Sequence, residues 1–190
     1  MSCDGRVHSV ELVLADDAER VVRANWSSLT RAGLPSQGRH TGASNRPHLT
    51  LALTASFTEP VQRRLAAIAG DLPVELTVGA LLVFGNRRFI LSRLVVPNGA
   101  LLGLQQRVLA ALDEPVDRHG TFRAGAWTPH TTLGRRFTAG QLACAVTALG
   151  HLPAVSGRAD RLRLWDMQAH REFWPGAPPG DPDDDQAFRR

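Results

Sequence analysis

The chain has 190 residues, of which 43% are apolar and 21% charged, a globular balance that excludes collagen-like, coiled-coil and wholly disordered chains. All 22 basic residues are Arg and the net charge is +4; such uniform usage reflects composition bias before it reflects binding. The segment 176–190 holds four Asp and two Arg, which leaves a mildly basic body suited to a phosphate-bearing ligand. The longest uncharged stretch, Phe137 to Gly157, contains Gln141, His151 and Pro153 and reads as a helix and a turn, not a membrane span. No basic segment followed by an apolar run opens the chain, so no signal peptide is expected. Cys3 and Cys144 are the only cysteines; they offer no disulfide framework, and a reducing cytoplasm is the expected compartment.

Val10, Leu12 and Leu14 alternate with Glu11 and predict a strand over Val7 to Leu14, with Glu11 on the side away from the apolar residues. Asp16 and Asp17 are the expected N-caps of a helix whose apolar stripe is Ala18, Val22, Trp26 and Leu29, ended by Gly33 and Pro35. A polar loop, Ser36 to Arg46, leads to a second strand, Pro47 to Leu53. Thr58 caps a helix with Pro60 in its first turn, the stripe Val61, Leu65 and Ile68, and a stop at Gly70. Two strands follow, Val74 to Val83 and Arg88 to Val96, with Gly85-Asn86 as a tight hairpin turn. Asn98 caps a helix striped by Leu101, Leu104, Val108 and Leu112. A loop, Asp113 to Ala126, precedes a strand at Thr128 to Arg135. Thr138 caps a helix with Leu142, Val146 and Leu149, and Arg161 to Ala169 is the last strand. Beyond Trp174, Pro, Gly and Asp predict a flexible tail.

The chain repeats itself. Pro47-His48-Leu49-Thr50-Leu51 matches Pro129-His130-Thr131-Thr132-Leu133 at four of five positions. Each segment leads to a Phe-Thr pair, Phe57-Thr58 and Phe137-Thr138, that opens a helix. Each helix ends in a similar way, at Gly70-Asp71-Leu72-Pro73 and Gly150-His151-Leu152-Pro153. The offset is 82 residues at the histidines and 80 at the helix ends. Two related strand–helix halves that pack face to face account for this order.

Residues i and i+2 of a strand share a face. His48 and Thr50 therefore point one way while Leu49 and Leu51 point into the core; His130 and Thr132 do the same with Leu133 behind them. A pseudo-twofold would bring two imidazoles and two hydroxyls to one cleft. That set suits in-line displacement at phosphorus: one neutral His takes a proton from the attacking oxygen and the other, protonated, gives one to the leaving oxygen. Thr hydroxyls can hydrogen-bond the non-bridging oxygens. No His pair has zinc-ligand spacing, neither Cys sits beside a His or Cys, and no Walker-type or G-x-G-x-x-G loop is present. No metal and no cofactor is expected.

The paired motifs His48-Leu49-Thr50-Leu51 and His130-Thr131-Thr132-Leu133 resemble those of the 2H phosphoesterase superfamily, which includes the RNA 2′,3′-cyclic phosphodiesterases also called 2′-5′ RNA ligases. The resemblance covers Val7 to Trp174. It implies a bilobal α+β fold, two related antiparallel-sheet-plus-helix halves with a pseudo-twofold around a central cleft. It divides the chain into one domain, 1–175, and a flexible acidic tail, 176–190. It also implies opening of a 2′,3′-cyclic phosphate, or cleavage of a 2′-5′ linkage, in RNA or a small nucleotide. His48 and His130 would be the acid–base pair and Thr50 and Thr132 the phosphate holders; the first His is commonly the acid in the family. Many members carry an Arg two residues after the motif's Leu. Arg135 sits there in the second motif and is the candidate extra phosphate contact, whereas Ala52-Leu53 follow the first; Arg46 and Arg136 are weaker candidates. The reverse joining of a 5′-hydroxyl to a cyclic phosphate needs no new residue. The expected partner is an RNA end or small phosphorylated nucleotide, with no membrane, no obligate protein partner and a monomeric state expected. A nucleotide or RNA-end binding module without turnover is the rival reading. Phe84, Phe122, Trp127 and Trp174 could stack on a base, and the loops 36–46 and 113–126 are expected to rim the cleft.

Overall fold

The computed structural model describes residues 7–117 and 120–176. Its elements are β1 (His8–Ala15), α1 (Asp16–Arg31), β2 (His48–Thr54), α2 (Glu59–Ala69), β3 (Val74–Phe84), β4 (Phe89–Val95), α3 (Gly99–Ala111), β5 (His130–Phe137), α4 (Ala139–Leu149), β6 (Val155–Asp166) and β7 (Arg171–Phe173). The α+β class and the repeated order are as expected: β1-α1-β2-α2-β3 is followed by β4-α3-β5-α4-β6.

The two halves do not form separate layers that meet face to face. They share one antiparallel sheet in the order β2-β1-β6-β3-β4-β5, with β7 on the free part of β6. Each half lends its last strand to the other's lobe. The lobes are therefore β2-β1-β6 and β3-β4-β5, joined where Val74–Val78 pairs with Val155–Ala159. Exchange of the third strand gives each lobe a partner for an otherwise open edge. It also carries the pseudo-twofold through the β3–β6 seam. Helices follow the same symmetry: α1 packs on β6, β5 and α4, and α3 on β3, β2 and α2.

Leu12, Leu14, Leu49, Leu51, Leu91 and Leu133 are fully buried beneath these helices. Two glycines set the closeness of packing. A Cβ on Gly157 would lie 2.8 Å from the Ala18 side chain, and one on Gly134 would lie 2.5 Å from the Pro35 carbonyl oxygen. Arg93 is fully buried among the helices. It donates to the carbonyls of Gly79 (2.5 Å) and Pro153 (2.9 Å) and to Asn25 Oδ1 (3.0 Å), so it ties α1 and the α4–β6 connection to the sheet.

Thr58, Asn98 and Thr138 cap their helices as expected. Other expectations shift. Neither Asp16 nor Asp17 caps α1: the N-cap is Ala15, whose side chain offers no acceptor, and Asp16 pairs instead with Arg158 at 2.9 Å. The β3–β4 connection is longer than a two-residue turn, with Gly85 at φ 94°. β6 begins at Val155 and ends at Asp166, earlier than the Arg161 to Ala169 expectation, because Val155–Ala159 finds its partner in β3. β7 was not expected at all. Residues 177–190 of the expected tail, and Cys3, lie outside the described residues. Among the described residues no helix is long and apolar enough to cross a membrane.

Candidate active site

The two motifs begin their strands. His48 and Thr50 are half-buried on β2 while Leu49 and Leu51 are buried; His130, Thr132 and Leu133 repeat this on β5. Each imidazole is held the same way. Nδ1 of His48 donates to the Arg46 carbonyl at 2.7 Å, and Nδ1 of His130 donates to the Thr128 carbonyl at 2.7 Å. A carbonyl only accepts, so Nδ1 carries a proton and Nε2 is left for chemistry in both rings. The threonine carbonyls are held symmetrically too. Trp127 Nε1 donates to Thr50 at 3.1 Å, and Trp26 Nε1 to Thr132 at 2.9 Å. β2 and β5, the two ends of the sheet path, come into contact. The two motif strands are therefore neighbours.

A β-bulge follows each motif at the same place. Thr50 lies opposite Glu11 and Ala52 opposite Val10, so Leu51 is the extra residue; Thr132 lies opposite Ser92 and Gly134 opposite Leu91, so Leu133 is the extra one. A bulge reverses the facing of everything after it. Arg135, opposite Ile90, is thereby returned to the face of His130 and Thr132, where simple alternation would have turned it away. Its counterpart on β2 is Leu53, opposite Ser9. Arg136 is itself bulged, exposed and left-handed at φ 66°, and takes no part in that face.

The surroundings of the two histidines differ. Glu11, expected to face outward, is 3% exposed. Its Oε2 accepts from Arg163 Nε at 2.9 Å and Nη2 at 2.5 Å, and its Oε1 accepts from Ser9 Oγ at 2.6 Å. This pair lies against His48, with Glu11 Oε1 3.7 Å from Nε2 and Arg163 Nη2 3.3 Å from Nδ1. Arg163 also reaches Glu172 Oε2 at 3.2 Å and the Ser44 carbonyl at 2.6 Å, which anchors the 36–46 loop beside the site. Burial would raise the Glu11 carboxyl, but the charges of His48 and Arg163 and the bonds from Ser9 and Arg163 outweigh it and hold Glu11 below the ordinary carboxylate range. Among the described residues no acid pairs with His130. Burial, foremost, and the charges of Arg135 and His48 push it below the usual imidazole value, against the bond to Thr128.

The aromatic candidates divide. Phe84 lies against the His130 ring, 4.6 Å between centroids. Trp127 is engaged through its N–H with Thr50. Trp174 is buried under Arg161, 3.8 Å from guanidinium to ring centre, and Phe122 contributes its carbonyl to Gln105. Glu11, Arg163, Glu172 and Trp26 escaped sequence reading; only the lone acid in an apolar alternation marked Glu11. Among the described residues no group of three or more His, Cys, Asp or Glu could hold a metal ion.

A profile of the 2′-5′ RNA ligase superfamily matches residues 18–171. Kluyveromyces marxianus Usb1 superposes with a TM-score of 0.57 at 14% identity, over 92% of this chain and 99% of that one. E. coli LigT complexed with 3′-AMP gives 0.51 at 16% identity, over 92% and 96%. A structure described as a phosphoesterase gives 0.51 at 16% identity, over 92% and 97%. At this identity they show a shared fold. A search of curated protein sequences finds no match.

Proposed function

The chain belongs to the 2′-5′ RNA ligase superfamily, and on that premise we propose that it is a phosphodiesterase that opens 2′,3′-cyclic phosphates, or cleaves 2′-5′ phosphodiesters, in RNA or small nucleotides. The observation that carries this reading is the pair of imidazoles, each with Nδ1 tied to the carbonyl two residues before it, which leaves Nε2 as the nitrogen for proton transfer. His130 is the base and His48 the acid. His130 is kept neutral by burial and by cationic neighbours, as a proton acceptor requires. His48 Nε2 lies 3.7 Å from the Glu11 carboxylate, a counter-charge for the acid's proton-bearing form. Water attacks phosphorus and gives its proton to His130 Nε2; the phosphorus bond to the ribose oxygen breaks, and that oxygen takes the proton of His48 Nε2. Thr50 and Thr132 hold the non-bridging oxygens, and Arg135 adds a guanidinium from the His130 side. A ribose 5′-hydroxyl in place of water would, with the same proton transfers, join the two ends, the reverse of 2′-5′ cleavage. Relatives of this fold hold nucleotides: uridine monophosphate in K. marxianus Usb1 and 3′-AMP in E. coli LigT.

The test is hydrolysis of nucleoside 2′,3′-cyclic phosphates and 2′-5′ dinucleotides, with EDTA present, by wild type, His48→Ala and His130→Ala. Turnover is expected to survive EDTA and to fall by about 10²–10⁴ in either variant, the usual worth of a positioned acid or base. Unchanged rates in both variants would overturn the assignment. Binding of the cyclic phosphates without product after long incubation would favour a non-catalytic binding module.

A further inference from the structure

The mechanism above handles one phosphate. The sheet beside His48 offers a place for another. His48 lies opposite Val13 on β1, and Val13 lies opposite Arg161 on β6. His48 and Arg161 therefore share a row and a face, about 10 Å apart at two strand spacings. Arg46 stands two residues before His48, and its carbonyl holds the His48 ring. Its guanidinium carbon lies 5.6 Å from the centre of the Trp174 ring, and that of Arg161 lies 3.8 Å from the same centre. Trp174 is only 6% exposed, so its indole is a fixed wall that carries two guanidiniums.

The charge of Arg46 is not answered by the described protein. Its Nε is buried without a hydrogen-bond partner, and no described acid pairs with it. Arg163, its neighbour, is the contrast: Glu11 and Glu172 neutralise it. A buried cationic donor without an acceptor is unfavourable, and an anion with several oxygens removes the deficit. Planar guanidiniums match phosphate oxygens in pairs.

We infer that Arg46, held on Trp174 beside Arg161, forms a subsite for a second phosphate of the substrate, one step along the sheet from the phosphate attacked between His48 and His130. This rests on the phosphodiesterase reading and narrows its substrates to ends that bear a further phosphate. The source is either the adjoining phosphodiester of an RNA end or the 5′-phosphate of a mononucleotide.

Three substrates separate these sources: a nucleoside 2′,3′-cyclic phosphate with a free 5′-hydroxyl, the same compound with a 5′-phosphate, and a dinucleotide ending in the cyclic phosphate with a free 5′-hydroxyl. The readout is the ratio of kcat/KM for each phosphate-bearing substrate to that for the first, which cancels effects common to all three. A ratio of roughly 10 to 100 is expected in wild type, the worth of one or two charge-assisted hydrogen bonds. The ratio should fall toward one in Arg46→Ala and recover in part in Arg46→Lys. Preference for the 5′-phosphate identifies a mononucleotide substrate, and preference for the dinucleotide identifies an RNA end. Ratios near one in wild type, or unchanged in Arg46→Ala, overturn the subsite. Should neither a cyclic phosphate nor a 2′-5′ dinucleotide turn over, the phosphodiesterase reading fails. Calorimetric titration then decides the subsite separately: adenosine 3′,5′-bisphosphate should bind at least tenfold more tightly than 3′-AMP in wild type and lose that margin in Arg46→Ala, and equal affinities would overturn it.

Discussion

Glu11 and Ser92 occupy equivalent places in the two halves: Glu11 lies opposite Thr50, and Ser92 lies opposite Thr132. The next strand continues the difference, with Arg163 beside Glu11 and Leu82 beside Ser92. A duplicated scaffold thus carries a buried ion pair along one motif and an uncharged row along the other. Identical histidines are placed in different fields, and in the proposed reaction this would let symmetric motifs take unlike roles in proton transfer.

The acid side of the pH profile follows from His130. Its value is held below the ordinary 6.5, and it works as a base only when neutral. The rising limb of kcat/KM is therefore expected below pH 6.5, and should move toward 6.5 when the Arg135 charge is removed in Arg135→Gln. The stability sign agrees. A depressed imidazole favours the folded state above the unfolded value and loses that contribution as pH falls through the folded one. A rising limb at or above pH 7 would remove His130 from the role of base.

Removing half of the buried pair should be costly. Glu11→Gln leaves Arg163 buried with only Glu172 as a charged partner, and a loss of about 3–5 kcal/mol is expected from chemical denaturation. Glu11 is depressed in the folded state. Its stabilisation is therefore present above the ordinary carboxylate value and is lost as pH falls through the folded one. The acid-side decline in stability should be shallower in Glu11→Gln than in wild type, and an equal slope in both would show that another carboxylate carries it.

Trp127 packs against the core and donates its N–H to the Thr50 carbonyl of β2 at 3.1 Å. Trp127→Phe keeps most of the ring and deletes that bond. Roughly a three- to tenfold fall in kcat is expected, from about 0.5–1.5 kcal/mol of lost positioning. Trp26→Phe should do the same from the other side, through Thr132. Comparison of kcat with thermal stability checks the point: unfolding with normal kcat in the surviving fraction would assign the tryptophans to packing alone.

Arg93 is buried away from the two histidines, bonded to Gly79, Pro153 and Asn25. Arg93→Met is expected to cost several kcal/mol, roughly 2–5, because the Gly79 and Pro153 carbonyls lose a buried donor together. The measurement is equilibrium unfolding, with kcat on the folded fraction as control.

Much of this molecule can be read along the chain. The i, i+2 rule places His48 with Thr50 and His130 with Thr132, because alternation is a property of one strand and needs no partner. Helix stripes and the Thr58, Asn98 and Thr138 caps are local for the same reason. The repeat Pro-His-x-Thr-Leu announces two equivalent motifs and, through them, the family. What depends on pairing between distant residues is silent in one dimension. The bulges at Leu51 and Leu133 exist only against β1 and β4, and one of them alone turns Arg135 toward His130. Glu11 and Arg163 are 152 positions apart, and alternation could only assign Glu11 to an outer face, where the sheet in fact covers it with another strand's arginine. The exchange of β3 and β6 between lobes is of the same kind. Local periodicity fixes which way a side chain points from its own backbone; what it meets there is decided by strand register, and register is set by the whole sheet.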